Sequence, residues 1–112
     1  MPSATESIEI VEGGLYASRQ TDGSFRIVKV LVADEHAVHL RMYAERYEEM
    51  PTSIQSSLLS LGSIFGGTIG IGHYPIARNG FFASEKLHLA TEVVTEDELE
   101  GYRIWLGDSD HA

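Results

Sequence analysis

Alternation of apolar and polar positions dominates the first two-thirds of the chain. Residues 25–33 read FRIVKVLVA and form two interleaved rows rich in β-branched side chains. This composition and length favour a strand that is buried over much of both faces. Asp22-Gly23 lies between two apolar runs, 15–19 and 25–33, and predicts a β-hairpin.

Residues 37–50 allow two interpretations. In a helix, Ala37, Leu40, Ala44 and Tyr47 would form one stripe that ends before Pro51. In a strand, the side chains of Val38, Leu40 and Met42 would point inward. Those of His39, Arg41 and Tyr43 would point outward. A polar turn at 34–36 usually returns a strand antiparallel, and we therefore predict a strand over 37–44.

Glycines mark the segment 64–76, which reads IFGGTIGIGHYPI. Gly66-Gly67 predicts a hairpin turn, and Gly70 and Gly72 indicate a bulge or the close approach of another group. A phosphate-binding loop is disfavoured, because no Gly-Lys-Ser/Thr follows and Pro75 stands where the third fingerprint glycine belongs. Six later side chains are expected to add to the core: Phe81, Phe82, Leu87, Leu89, Val93 and Val94.

The last part of the chain carries the clearest local signal. Thr95 and Glu98 have the spacing of a capping box, and the first turn is acidic. We predict a helix over 96–106 that ends at Gly107 and packs Leu99, Tyr102 and Leu106 on the sheet. The predicted fold is one α+β domain over 1–112, with mostly antiparallel strands forming a small barrel or bent sheet, one C-terminal helix, and flexible tails at 1–7 and 108–112.

Composition and net charge limit the classes of binding partner that we expect. The chain has 112 residues, 8 Lys plus Arg against 17 Asp plus Glu, a net charge of −9 and no cysteine. The acidic surface repels phosphate backbones, so we expect no general nucleic-acid binding and a cationic protein as the partner. No apolar run is long enough for a membrane span, and the N-terminus MPSATES lacks the features of a secretory signal. The expected location is the cytoplasm, with no membrane association.

Two resemblances add to this picture. The entry GGLY, the turn TDG, the long strand FRIVKVLV and VHLRMY in residues 13–47 resemble the first strands of a Tudor-type small barrel. Tudor-type domains often hold methylated Lys or Arg in an aromatic cage, but no cage motif transfers to this chain residue by residue. The chain is similar to a family of short, uncharacterised bacterial proteins in the segments EGGLY, FRIVKVLVADEHAVHLRMYAERY, LSLGSI, IGIGHYPIAR and VTEDELEGYRIWL. This resemblance implies a bacterial fold family and no activity.

Several polar and aromatic residues are candidates for binding. His73, Tyr74 and Arg78 follow glycines on a turn stiffened by Pro75, where they would form an anion site or transfer a proton. Tyr16 and Tyr43 would converge on a cationic side chain in a barrel. Structural roles are the commoner explanation for both sets.

Metal binding and catalysis receive little support. Glu35-His36-Ala37-Val38-His39 is not the zincin motif, and on a strand His36 and His39 face opposite ways. No nucleophile elbow or carboxylate pair stands out, so no catalytic residue, metal or cofactor is predicted.

Two functions follow from these observations. The first is a small, acidic, non-catalytic binding or adaptor domain. The alternative is a small enzyme or an anion or ligand binder that uses the turn over 72–78. An open strand edge would permit homodimerisation in either case.

Overall fold

One five-stranded antiparallel sheet organises the computed structural model, which describes residues 10–55, 57, 59–63 and 68–110. In chain order the elements are β1 (Gly14–Arg19), β2 (Phe25–Ala33), β3 (Ala37–Tyr47), β4 (Gly62–Ser63), β5 (Thr68–Ile69), β6 (Ile71–Ala77), α1 (Arg78–Phe81), β7 (Lys86–Thr91) and α2 (Glu100–Asp110). The strand order is β6-β3-β2-β1-β7, and β4 pairs with β5. The α+β class with a C-terminal helix is confirmed. Within the described residues the sheet is open and does not close into a barrel.

Two tight turns set the register of the central strands. In the β1–β2 hairpin, Gly23 has a φ of 88°, and the Asp22 carboxylate accepts hydrogen bonds from the backbone and hydroxyl of Ser24. In the β2–β3 hairpin, the Asp34 carboxylate accepts hydrogen bonds from the backbone N–H groups of His36 and Ala37. Both turns predicted from the sequence are confirmed.

The ambiguous segment after residue 36 is a strand. β3 runs from Ala37 to Tyr47, three residues beyond the predicted end, and pairs with both β2 and β6. The predicted outward row is wrong for two of its members, because the side chains of His39 and Tyr43 are buried. Alternation places these residues on a second face of the sheet, which other parts of the chain cover.

Apolar side chains cover both faces of the sheet. The first face is defined by Tyr16, Val28, Val30, Val38, Leu40 and Phe81. The second face is defined by Leu15, Ala17, Ile27 and Tyr43, against which Met50, Ile54, Leu59 and Leu61 pack. The three central strands are therefore buried on both sides, as the apolar sequence of β2 predicted.

A connection over the first face joins the two outer strands, β6 and β7. It contains α1, and the buried Phe81 ring makes an edge contact with Tyr16 at 5.1 Å between ring centroids. Phe81 is therefore core, as predicted. The same prediction is wrong for Phe82, Leu87 and Val93, which are exposed.

Gly70 marks a close approach between backbones. A Cβ at this position would lie 2.3 Å from the carbonyl oxygen of Met42. The pairing of β3 with β6 also shifts between Leu40 and Met42. The predicted close contact is confirmed here, whereas a Cβ at Gly72 would meet only ordinary contacts. The proposed turn at Gly66-Gly67 and the predicted tail over 1–7 lie outside the described residues.

The C-terminal helix begins with the predicted capping box. Thr95 Oγ1 accepts a hydrogen bond from the Glu98 backbone N–H, and Glu98 Oε1 accepts one from the Thr95 N–H. After a turn over 96–99, α2 continues to Asp110, so Gly107 does not end it. Leu106 is 37% exposed, which corrects its expected place on the sheet. Among the described residues, no helix has the length and apolar character needed to cross a bilayer.

Candidate functional site

The predicted group of His73, Tyr74 and Arg78 is divided between different parts of the fold. Residues 71–77 form strand β6, not a turn, so neighbouring side chains point to opposite faces. Tyr74 packs on the first face, whereas His73 contacts His39 on the second. Arg78 starts α1 and donates a hydrogen bond to the Asp34 carbonyl oxygen at 2.6 Å. The three side chains do not converge on one site.

Tyr16 and Tyr43 are also separated by the sheet. Tyr16 belongs to the first face, where its hydroxyl accepts a hydrogen bond from the Val11 N–H at 3.1 Å. Tyr43 belongs to the second face. Because the two rings lie on opposite sides of one sheet, they do not form a shared aromatic cage.

A buried ion pair attaches the start of α2 to the second face. Lys29 is 1% exposed, and its Nζ lies 3.0 Å and 3.2 Å from the two carboxylate oxygens of Glu98. Lys29 also donates to the Val93 carbonyl oxygen at 2.8 Å. One carboxylate thus links the capping box of the helix to the central strand of the sheet.

Tyr43 lies beside this pair. Burial, together with the negative charge of Glu98, raises the pKa of Tyr43 to about 12. Burial alone would raise the pKa of Glu98, but hydrogen bonds from Thr95 and Lys29 and the charge of Lys29 hold it below its usual value. The carboxylate is therefore ionised at neutral pH and the phenol is neutral, so the cluster has one cation and one anion.

Two histidines form a second buried pair under the helix. His39 is fully buried, and its Nδ1 lies 3.0 Å from Nε2 of His73. The other ring nitrogen of His39, Nε2, lies 3.9 Å from the Asp34 carboxylate and has no hydrogen-bond partner among the described residues. A proton on His39 Nε2 would point toward the Asp34 carboxylate and be attracted by its negative charge. We therefore assign His73 Nε2 as the donor and His39 Nδ1 as the acceptor.

Both imidazoles are neutral at pH 7. Burial lowers the pKa of His39, although the Asp34 charge opposes this effect. Burial and the neighbouring His39 lower the pKa of His73. The sequence pattern missed this pair, because His39 and His73 are 34 positions apart and only the β3–β6 register brings them together.

Aromatic side chains from α2 cover the histidine pair. The rings of Tyr102 and Trp105 make edge contacts with His39, with centroids 4.7 Å and 4.8 Å away. Gly101 permits the close approach of the helix, because a Cβ there would lie 2.7 Å from the Cβ of His73. The glycine in this helix therefore has a packing role.

We expect Gly101→Ala to destabilise the fold by up to about 2 kcal/mol. Alanine raises helix propensity by about 1 kcal/mol, but overpacking against a strand costs about 1–3 kcal/mol. Gly107→Ala is the matched control, since a Cβ there meets nothing within 4 Å, and it should stabilise. Urea unfolding of both variants measures the difference, and equal stabilisation by both would show that α2 does not pack closely on β6.

A groove runs between α2 and β6 on the second face. This α2–β6 groove has a volume of about 350 Å³ and is lined by Arg41, Gly72, His73, Asp97, Glu100, Gly101 and Ile104. Arg41 Nε donates a hydrogen bond to the Gly72 carbonyl oxygen at 3.2 Å. The carboxylates of Asp97 and Glu100 are exposed at the helix side of the groove.

Exposed apolar side chains continue this surface along the helix. Ile104 is 58% exposed and Trp105 is 41% exposed, and Leu106 follows them. Ile104 lies one turn beyond Glu100, so a carboxylate and an apolar side chain share one face. Within the described residues there is no group of three His, Cys, Asp or Glu side chains suited to a metal ion.

No family model, curated protein or solved structure matches the chain.

Proposed function

We propose that the protein is a non-catalytic binding domain that recognises a basic protein segment through the α2–β6 groove and the exposed side of α2. The observation that carries this proposal is the exposure of Ile104 in the same groove as the carboxylates of Asp97 and Glu100, with the partly exposed Trp105 following it on the helix. A segment with Lys or Arg beside an apolar side chain complements such a surface.

Charge and packing both support this partner. The net charge of −9 favours the approach of a cationic segment. Trp105 makes a T-shaped contact with the buried His39 ring while part of its indole stays exposed, so the indole ring is held in place before binding. Aromatic side chains held in this way are frequent at the centre of protein interfaces.

Trp105 is the single tryptophan of the chain and reports directly on binding. We expect a peptide of alternating Lys and Leu to shift its emission to shorter wavelength in a saturable manner. Peptides of alternating Glu and Leu, or Lys and Ser, should bind more weakly, since the first lacks the charge and the second the apolar side chains. Equal responses to the three peptides would contradict the proposal.

Charge-matched variants locate the surface. We expect the double variant Asp97→Asn, Glu100→Gln to weaken Lys/Leu peptide binding by about fivefold or more and to reduce its salt dependence. Glu48→Gln with Glu49→Gln removes the same charge from another exposed site and should change binding less than about twofold. Similar losses in both double variants would mean that net charge alone attracts the peptide.

A matched apolar pair of variants tests the helix. Ile104→Ser removes an exposed apolar side chain from the groove, while Phe82→Ser removes one from the connection that follows α1. Only the first should weaken binding. A loss confined to Phe82→Ser would assign the interaction to the other side of the sheet.

The expectations about family, location, homodimerisation and the alternative function remain to be tested. A bacterial family, a Tudor-like N-terminal half and a cytoplasmic location stay predictions. For homodimerisation we favour the outer strand β7, because Pro75 removes a backbone donor from the other outer strand, β6. For the alternative of an enzyme or an anion site over 72–78, Gly72 and His73 line the α2–β6 groove, whereas Tyr74 and Arg78 lie elsewhere in the fold.

A further inference from the structure

A second concave site lies on the first face, across the sheet from the α2–β6 groove. We call it the Lys86 pocket. It has a volume of about 280 Å³ and lies between the sheet and the connection that leads from α1 to β7. Its size is near the lower limit for small-molecule sites, about 300 Å³, which suits a ligand of metabolite size.

The pocket has an apolar wall and a polar end. The wall is formed by Val28, Leu40, Met42, Tyr74 and Ile76. At the polar end, Ser18 and Ser84 have their hydroxyl oxygens 3.3 Å apart, and Lys86 Nζ donates to Ser84 Oγ at 2.7 Å. The register pairs Ser18 with Lys86 on neighbouring strands, so rigid elements hold the cation and one hydroxyl in place.

The Lys86 ammonium is the unusual group at this site. Lys86 is 9% exposed and lies 5.1 Å from the centroid of the Phe81 ring. Among the described residues it makes no ion pair, and its side-chain hydrogen bonds go to the Ser84 hydroxyl and carbonyl oxygens. By contrast, the other lysine, Lys29, is bound by Glu98. A cation with so little exposure and no counter-ion among these residues is costly to hold.

Lys86 is mostly protonated at neutral pH, as a site that binds an anion requires. Burial lowers the pKa of Lys86 to about 8. At pH 7 the amine is therefore still mostly a cation, and an anion at the polar end would supply the missing counter-charge. The nearby Arg19 is already paired with Glu85 at 3.0 Å, which leaves Lys86 as the cation for a ligand.

We propose that the Lys86 pocket binds a small organic carboxylate with an apolar chain or ring. The carboxylate accepts hydrogen bonds from Lys86 and, once the long 3.3 Å contact between the two hydroxyls opens, from Ser18 and Ser84. The apolar part packs on the wall formed by Val28 and Met42. One cation with two hydroxyls matches a monoanion, and the apolar wall disfavours a fully hydrated inorganic anion.

Hexanoate is a suitable probe, with hexan-1-ol and hexylammonium as the neutral and cationic counterparts. In NMR titrations of the full chain, we expect saturable shifts of the Ser18, Ser84 and Lys86 amide signals with hexanoate. Hexan-1-ol should bind at least about tenfold more weakly, and hexylammonium should not bind. Absence of saturable shifts at these residues with hexanoate would overturn the proposal, as would equal binding of the three probes.

Lys86→Met removes the charge and keeps the apolar stem. We expect it to weaken hexanoate binding by about tenfold or more and to leave hexan-1-ol binding unchanged. Arg103→Gln, an equal change of charge at an exposed position of α2, should leave both affinities unchanged. An unaltered hexanoate affinity in a folded Lys86→Met variant would contradict the assigned role of the lysine.

A pH series on the unmodified protein keeps the test independent of any substitution. Raising the pH from 7 to 10 passes the Lys86 pKa of about 8 and should weaken hexanoate but not hexan-1-ol. Constant hexanoate affinity over this range would overturn the proposal. Since the pocket and the α2–β6 groove lie on opposite faces, the result is independent of the peptide experiments.

Discussion

Lys29→Met should reduce the free energy of unfolding by about 3–5 kcal/mol, the range measured when one partner of a buried ion pair is removed. The substitution leaves the Glu98 carboxylate buried without its ammonium partner, beside the Tyr43 phenol. The carboxylate also accepts a hydrogen bond from the Thr95 N–H in the turn that leads into α2, so this turn is destabilised together with the sheet. Urea unfolding followed by far-UV circular dichroism measures the loss.

A double-mutant cycle separates the ion pair from the packing of the lysine stem. Glu98→Gln removes the negative charge and keeps an oxygen acceptor for the Thr95 N–H. In the Lys29→Met background it should therefore recover about 2 kcal/mol or more. Strictly additive effects of the two substitutions would show that Lys29 and Glu98 do not interact in solution.

An exposed ion pair provides the matched control. Arg46 Nη1 lies 2.9 Å from Asp22 Oδ2, and both side chains are about half exposed. Arg46→Met should cost less than about 1 kcal/mol, because solvent screens such pairs. A cost as large as that of Lys29→Met would mean that burial does not determine the difference between the two pairs.

Local sequence signals predicted the parts of this fold that depend on neighbouring residues. Asp22-Gly23, the turn at Asp34 and the Thr95/Glu98 capping box act over two or three positions, and each forms as expected. Alternation likewise predicted β1, β2 and β3, whereas residues 72–78 were expected to form a turn and β7 was not predicted. Helix α2 begins and ends later than predicted because residues 96–99 form only a turn and Gly107 continues the helix.

The candidate sites depend on distant residues, and local patterns could not predict them. In strand β2, Lys29 lies on the same face as Ile27 by simple alternation, but its partner Glu98 lies 69 positions further along the chain. His39 was expected in an outward row, because alternation does not reveal whether a second layer covers that face. Ser18 and Ser84 meet only through the pairing of β1 with β7, a strand added from the far end of the chain.

Acidification from pH 7 to 5 should destabilise the protein through the buried histidine pair. The pKa values of His39 and His73 lie below the ordinary value of 6.5, whereas the unfolded chain titrates near about 6.5. Between these values the unfolded state binds more protons, so the free energy of unfolding rises with pH and decreases on acidification. The contribution is complete above about pH 6.5 and is lost as the pH falls toward the folded-state pKa values.

The carboxylates of Asp34 and Glu98 do not reproduce this dependence. Hydrogen bonds from Ala37 and His36, with the charge of His39, hold the pKa of Asp34 below its usual 3.8, and Glu98 also titrates below its usual 4.5. Their stabilising contributions are therefore lost mainly below about pH 4.5. Measurements between pH 7 and 5 isolate the imidazoles.

Replacing the pair as a unit tests this assignment. His73→Leu alone leaves His39 Nδ1 without its donor and should cost about 1–3 kcal/mol at pH 7. The double variant His39→Leu, His73→Leu removes both partners, so it should recover part of that loss and unfold with little pH dependence between pH 7 and 5. The exposed His36 supplies the control, since His36→Gln should keep the pH dependence of the unmodified protein. If the double variant keeps that dependence as well, the titrating group lies elsewhere and the pair does not hold α2 against the sheet in a pH-sensitive manner.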